Sequence, residues 1–219
     1  MNEIILYAFL ATTITWLLTA LGSATVIFFK SPNTKILNLM LGFASGVMIA
    51  ASFWSLLQPA IERAEELNAT PAYITATLGF LSGAIFMWIS DKVVCFTQQR
   101  VSNAKSNEKL NRIIMLVLSI TLHNIPEGLA VGVAFGALRG QNITFENLTG
   151  AITIAIGIAL QNFPEGAAVS IPLRREGYSR FKSFMLGQAS GMVEPIAGVL
   201  GAILVVYIEH LLHTLLNFS

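Results

Sequence analysis

The sequence predicts an all-α integral membrane protein with six transmembrane helices. Two observations carry that expectation. Only 11% of the 219 residues are charged and 54% are hydrophobic, whereas a soluble domain carries about 25% charged residues. The few charges are also bunched, and they leave six long stretches almost free of them. Crossing ~30 Å of hydrocarbon takes about 20 helical residues at ~1.5 Å each, and every stretch is long enough. Helices satisfy their backbone groups internally, as lipid requires. A barrel would need short alternating strands, and these runs do not alternate.

The first span, about 4–29, has no charge from Ile4 to Phe29. It lacks a positive leading region and its apolar run is too long for a signal peptide. The second, about 36–61, is uncharged from Ile36 to Ile61. The third, about 71–95, begins at Pro71, a residue tolerated in the first turn of a helix. The fourth, about 112–138, contains only His123 and Glu127 as titratable groups from Ile113 to Leu138. The fifth, about 148–172, contains only Glu165, and the sixth, about 183–208, only Glu194.

The positive residues set an expected orientation. Lys30 and Lys35 lie in the first loop, Lys92, Arg100, Lys105, Lys109 and Arg112 in the third, and Arg174, Arg175, Arg180 and Lys182 in the fifth. Only Arg63 and Arg139 fall elsewhere. The positive-inside rule therefore puts those three loops in the cytoplasm and both termini outside. Residues 1–219 read as a single membrane domain, with a flexible cytoplasmic polar linker at about 96–111 between spans one to three and spans four to six. The Asn-x-Ser/Thr triplets at 68–70, 142–144, 147–149 and 217–219 fall on the outer side, where such chance triplets carry no argument.

Composition excludes several classes. A formal net charge of +1 excludes a nucleic-acid binder held by a basic surface. A single cysteine, Cys95, excludes an intramolecular disulfide and a cysteine zinc cage. Cys95 reads as a small apolar filler.

Chemistry enters with the buried acids. A carboxylate at the bilayer centre costs at least ~2.5–3.5 kcal/mol on insertion scales, yet Glu127, Glu165 and Glu194 each sit deep in a span. The default use is an ion or proton pathway; an interhelical polar pair is the alternative. His123 and Glu127 are four residues apart and Asn124 and Glu127 three, so the three share a helical face. That mixture of imidazole, amide and carboxylate suits a divalent transition metal. Asn-x-Pro-Glu-Gly recurs in the fifth span, at Asn162-Phe-Pro-Glu165-Gly166, with Gln161 in place of the histidine. The sixth span adds Glu194-Pro195. Pro126 and Pro164 are expected to kink their helices, and Gly128 to let a neighbouring backbone approach. Intramembrane hydrolysis finds little support. His-Glu-x-x-His is absent, the order here is His-x-x-x-Glu, and no general base stands apart from the ligand set.

At these motifs the sequence resembles the ZIP (Zrt/Irt-like) family of divalent metal transporters, in its bacterial-type branch. The resemblance rests on His123-Asn-Ile-Pro-Glu127-Gly, Gln161-Asn-Phe-Pro-Glu165-Gly and Gly187-Gln-Ala-Ser-Gly-Met-Val-Glu194-Pro. Gly42-Phe-Ala-Ser-Gly-Val-Met48 in span two adds a moderate match. It implies a non-enzymatic transporter that moves zinc, iron, manganese or cadmium into the cytoplasm, in the plasma (inner) membrane, by an elevator-like movement of one helix group against another. A homodimer is the candidate assembly. It also implies a binuclear metal site. His123, Glu127, Gln161 and Glu165 match the primary position; Asn124, Glu127, Glu165 and Glu194 match the second. Met48 matches a thioether near the entrance. Asn162 stands where relatives can carry a bridging Asp. The family has eight core spans against the six counted here, which makes a truncated or non-transporting metal-binding protein the alternative function.

Two further clusters are weaker. Glu62, Glu65 and Glu66 end span two, where a solvated helix end is a better reading than a cation-gathering entrance. His210 and His213 read as interfacial residues of the C-terminal tail.

Overall fold

The computed structural model describes residues 2–28, 34–67, 71–102, 108–140 and 144–216. All regular structure among them is helical. Helix α1 spans Asn2–Phe28 and α2 spans Thr34–Ala50. A π-helical segment, Ala51–Leu57, joins α2 to α3 (Gln58–Leu67) without a break. Then follow α4 (Ala72–Ser102), α5 (Glu108–Gly136), α6 (Phe145–Arg175), α7 (Arg180–Gly191) and α8 (Val193–Leu216).

Six stretches are long and apolar enough to cross a membrane: Asn2–Phe28, Thr34–Glu62, Ala72–Phe96, Ile113–Gly136, Asn147–Arg175 and Arg180–Ile208. They match the six spans expected from the charge gaps to within three residues at each end. Helix α4 runs on to Ser102 and α5 starts at Glu108, so the flanks of the polar stretch 96–111 are helical. Its residues 103–107 lie outside the described residues, as do 68–70, 142–143 and 217–219 and the side chains of His210 and His213.

Local signals explain the boundaries. The Thr144 and Ser179 hydroxyls cap α6 and α7, accepting from the amides of Asn147 at 3.3 Å and Lys182 at 3.2 Å. Gly177 has φ +91°, a left-handed conformation that suits glycine, and closes the turn after α6. The prolines inside spans do not end their helices. Pro126 lies inside α5 and Pro164 and Pro172 inside α6, and neither helix is interrupted there. Packed neighbours inside a membrane bundle can satisfy the carbonyl that a proline frees. Among the described residues, the sixth span breaks, at Met192. Pro195 then falls in the first turn of α8, where its missing N–H is not needed.

Packing divides the spans into two groups. Helix α1 packs chiefly on α6, and α5 on α8. Only 6% of the second and third spans is buried, against 44% of the fifth. The core is therefore built by α1, α5, α6, α7 and α8, while α2 and α4 present mainly apolar side chains outward, among them Leu39, Phe43, Leu78 and Trp88. Cys95 is exposed on α4, so it does not fill the core. Lipid offers helices no hydrophobic drive to associate, so small residues that allow close contact become the adhesive. Gly128, Gly132 and Gly136 form one stripe of α5 against α8. A Cβ on Gly132 would stand 2.1 Å from the Gly198 carbonyl oxygen.

Two of the apolar clusters mark the ends of the bundle; a third, Ala167 and Ile171, packs against Met40 of α2. Ile4, Ala8, Val131, Phe135, Ala151, Ile158 and Ala202 fill one end of the bundle. Ile113, Val169 and Leu173 fill the other. Along α5 and α6 the residues between these clusters are 123–127 and 161–165. A polar layer is thus sealed between two apolar ones.

Candidate metal centre

That layer lies at mid-span. The midpoints of the first, second, fifth and sixth candidate spans are Thr15, Met48, Gln161 and Glu194, and that of the fourth falls between Asn124 and Ile125. Four helices deliver polar side chains to one depth.

Two carboxylate–amide pairs organise the layer. Gln161 on α6 donates its Nε2 to Glu127 Oε1 on α5. Asn162 donates its Nδ2 to both oxygens of Glu194, at 2.9 and 2.8 Å, and to the Thr15 carbonyl at 3.1 Å. Asn124 donates its Nδ2 to the Ser190 carbonyl at 2.9 Å. Each amide nitrogen faces an acceptor, which fixes the orientation of all three amides. Their oxygens therefore point elsewhere. Asn124 Oδ1, Asn162 Oδ1 and Glu127 Oε2 are buried with no hydrogen-bond partner. Such atoms are rare in folded proteins and call for an explanation. An electron-poor partner such as a cation would satisfy them.

His123 is half-buried, and its Nδ1 lies 3.1 Å from the Ser119 carbonyl. A carbonyl only accepts, so Nδ1 carries the hydrogen, and in the neutral ring the lone pair is then on Nε2. This is the tautomer a ligating histidine uses. Glu165 is half-buried on α6 and interacts electrostatically with Glu194 and with Glu127. Among the described residues, no three His, Cys, Asp or Glu side chains already converge as a metal cage. The layer is instead a mixed amide–carboxylate environment.

Met48 comes from outside the core. Three contacts set the register of α2 on α6: Arg175 donates to Thr34, Met40 packs on Ala167 and Ile171, and Ala51 lies against Gly157. The two helices therefore run antiparallel. Met48 is one turn before Ala51 and Gln161 one turn after Gly157, which sets Met48 level with Gln161.

The sequence reading missed the contribution of α1. Thr12, Thr15, Thr19 and Ser23 are all fully buried and form one stripe. Thr15 donates to Glu194 Oε2 at 2.5 Å, and Thr19 stands 3.5 Å from Oε1. Ser23 donates to the Gly166 carbonyl at 3.0 Å. The spacing of these hydroxyls at three and four residues is visible in the sequence. Hydroxyls in membrane helices often bond to their own backbone, so the stripe carries no weight until its partner is known. Glycines make these contacts possible. A Cβ on Gly166 would stand 2.0 Å from the Thr19 carbonyl oxygen, and one on Gly128 2.6 Å from that of Glu194.

A family model described as "ZIP Zinc transporter" matches residues 2–112 and 97–214. The chain belongs to the ZIP zinc transporter family. Its ZIP relatives include zinc transporter ZIP11 of Xenopus tropicalis, 40% identical over 98% of this chain and 85% of that protein. ZIP11 of Homo sapiens is 36% identical over 97% and 84%. Zinc transporter ZupT of Chlorobium phaeovibrioides is 35% identical over 89% and 74%. The spans and motifs described above are thus those of a ZIP protein that is integral to a membrane and crosses it several times.

Proposed function

We propose that this ZIP protein transports divalent metal ions across its membrane, with zinc as substrate. The single observation that carries the reading is the sealed mid-span layer. Three buried oxygens there, on Asn124, Glu127 and Asn162, lack partners, beside a histidine whose ring lone pair is on Nε2. The names of the relatives support zinc as the ion. His123, Glu127, Gln161 and Glu165 hold the ion, with His123 and Glu165 closing on Glu127, and Asn124 and Asn162 supply amide oxygens. Met48 offers a thioether from α2 at the same depth. Mixed neutral and charged donors bind firmly enough to select an ion and weakly enough to release it.

Charge sorting supports an orientation. With the Lys- and Arg-bearing loops in the cytoplasm, including the linker at 96–111, both termini lie outside; inward movement across the plasma (inner) membrane is what the family resemblance implies. Homodimers are the working assembly. Zinc flux into proteoliposomes that contain only this chain tests the reading. Uptake is expected for wild type and is lost in Glu127→Ala and Glu165→Ala. Uptake by Glu127→Ala equal to wild type would sink the site. Zinc binding without flux would assign a metal-binding role instead.

A further inference from the structure

The three buried glutamates are not equivalent. Glu127 keeps one oxygen without a partner. Glu194 is fully buried and surrounded by donors. Its Oε2 accepts from the Thr15 hydroxyl and from Asn162 Nδ2, and its Oε1 accepts from the same Nδ2 with the Thr19 hydroxyl at 3.5 Å. A carboxylate has about four lone-pair sites, and Thr15, Thr19 and Asn162 crowd them from α1 and α6, the Asn162 amide reaching both oxygens. The Thr12 carbonyl, 2.9 Å from the Thr15 hydroxyl, is the alternative acceptor for its one hydrogen.

Asn162 is the decisive side chain. Its Nδ2 stands where a cation bridging α6 to Glu194 would sit, and it presents the positive end of the amide dipole to both carboxylate oxygens. Turning the amide over would set Oδ1 against those oxygens and against the Thr15 carbonyl, 3.1 Å from the present Nδ2. Three acceptors would then face a fourth. An ion entering here would have to displace the amide and leave its hydrogens unmet in a buried site, which is costly.

We infer that Glu194 is a positioning residue that ties α1, α6 and α8 together, and that the layer takes one divalent cation, held between α5 and α6. This rests on the transport site proposed above and departs from the two-ion arrangement that the family resemblance implies. Asn162 sets the number of ions.

Cadmium is the probe. The full chain, purified in detergent, is dialysed against Cd²⁺, and bound metal is measured by elemental analysis and by ¹¹³Cd NMR. Wild type is expected to hold one ion per chain and give one resonance. Asn162→Asp, which replaces the donor amide with a second carboxylate, is expected to hold two. Glu194→Gln is expected to keep one ion, with an unchanged chemical shift and a Kd within about tenfold of wild type, while Glu127→Gln weakens binding about a hundredfold or more. Two ions in wild type would overturn the inference. So would a single ion in Asn162→Asp, or a Glu194→Gln resonance that moves as a lost ligand would move it. No bound ion in wild type would overturn the transport site itself. The wild-type count needs no variant to fold.

Discussion

Replacing Gly22 by alanine is the sharpest test of how the polar layer is held. Gly22 lies on α1 where its backbone meets α6, and a Cβ built there would stand 1.8 Å from the Phe163 carbonyl oxygen. An ordinary contact needs about 3.2 Å, so the two helices must part by roughly 1.4 Å, and the obstacle is main chain that no rotamer can relieve. Adding a methyl group to a packed core costs about 1–3 kcal/mol. Against that, Gly→Ala in a helix gains up to ~1 kcal/mol of propensity. With main chain as the obstacle the cost lies in the upper part of that range, about 2–3 kcal/mol, so the net loss is about 1–2 kcal/mol, and it is concentrated where α1 delivers Thr15 to Glu194. Gly46 on α2 is the control, because a Cβ there meets nothing within 4 Å. Thermal unfolding in detergent, followed by fluorescence-detected size exclusion, reads both variants. At roughly 2–4 °C per kcal/mol for a chain of this size, Gly22→Ala should melt about 2–8 °C below wild type and Gly46→Ala at or above it. Equal melting temperatures for the two variants would refute the packing argument.

Other outcomes follow from the same contacts. Thr15→Val removes the hydroxyl on Glu194 with little change of shape, and should cost about 0.6–1.7 kcal/mol, the range for hydrogen bonds inside membrane bundles. Thr13→Val, whose hydroxyl reaches only the Phe9 carbonyl of its own helix, should melt as wild type does. Saturating zinc should raise the melting temperature, since ligand at about a hundred times its Kd stabilises by ~2.7 kcal/mol. Glu127→Ala should abolish that rise; an equal rise would place zinc elsewhere. Cys95, exposed near the end of the third span, should react with an impermeant maleimide from the cytoplasmic side only. Reaction from outside would invert the orientation assigned to the loops.

Most of the fold was legible because lipid imposes a coarse rule. Lys, Arg, Asp and Glu are excluded from spans, so six charge gaps gave six helices to within three residues. The candidate site was legible for the opposite reason: Glu127, Glu165 and Glu194 break that rule, each sits beside a proline, and the first two lie in a repeated motif. What could not be read depends on which helix faces which. The α1 hydroxyl stripe gains meaning only once Glu194 is its neighbour. Proline alone did not say that α5 and α6 would stay continuous and that the sixth span would break, because the outcome depends on packing and on the position of each proline within its helix. The π-helical turn at Ala51–Leu57 leaves no pattern in the residues. Cys95 has the composition of a core residue and lies outside the core, since in a bilayer apolar side chains are welcome on either face.

The depth of the polar layer has an electrical consequence. Thr15, Gln161 and Glu194 mark the middle of their spans, so an ion bound among them has crossed about half of the transmembrane field. One elementary charge carried through the whole field exchanges ~2.3 kcal/mol per 100 mV. A divalent ion carried halfway exchanges the same amount, about fiftyfold in site occupancy. A negative cell interior would therefore favour both steps of inward movement, loading from outside and release toward the cytoplasm, each by about half of the total electrical work.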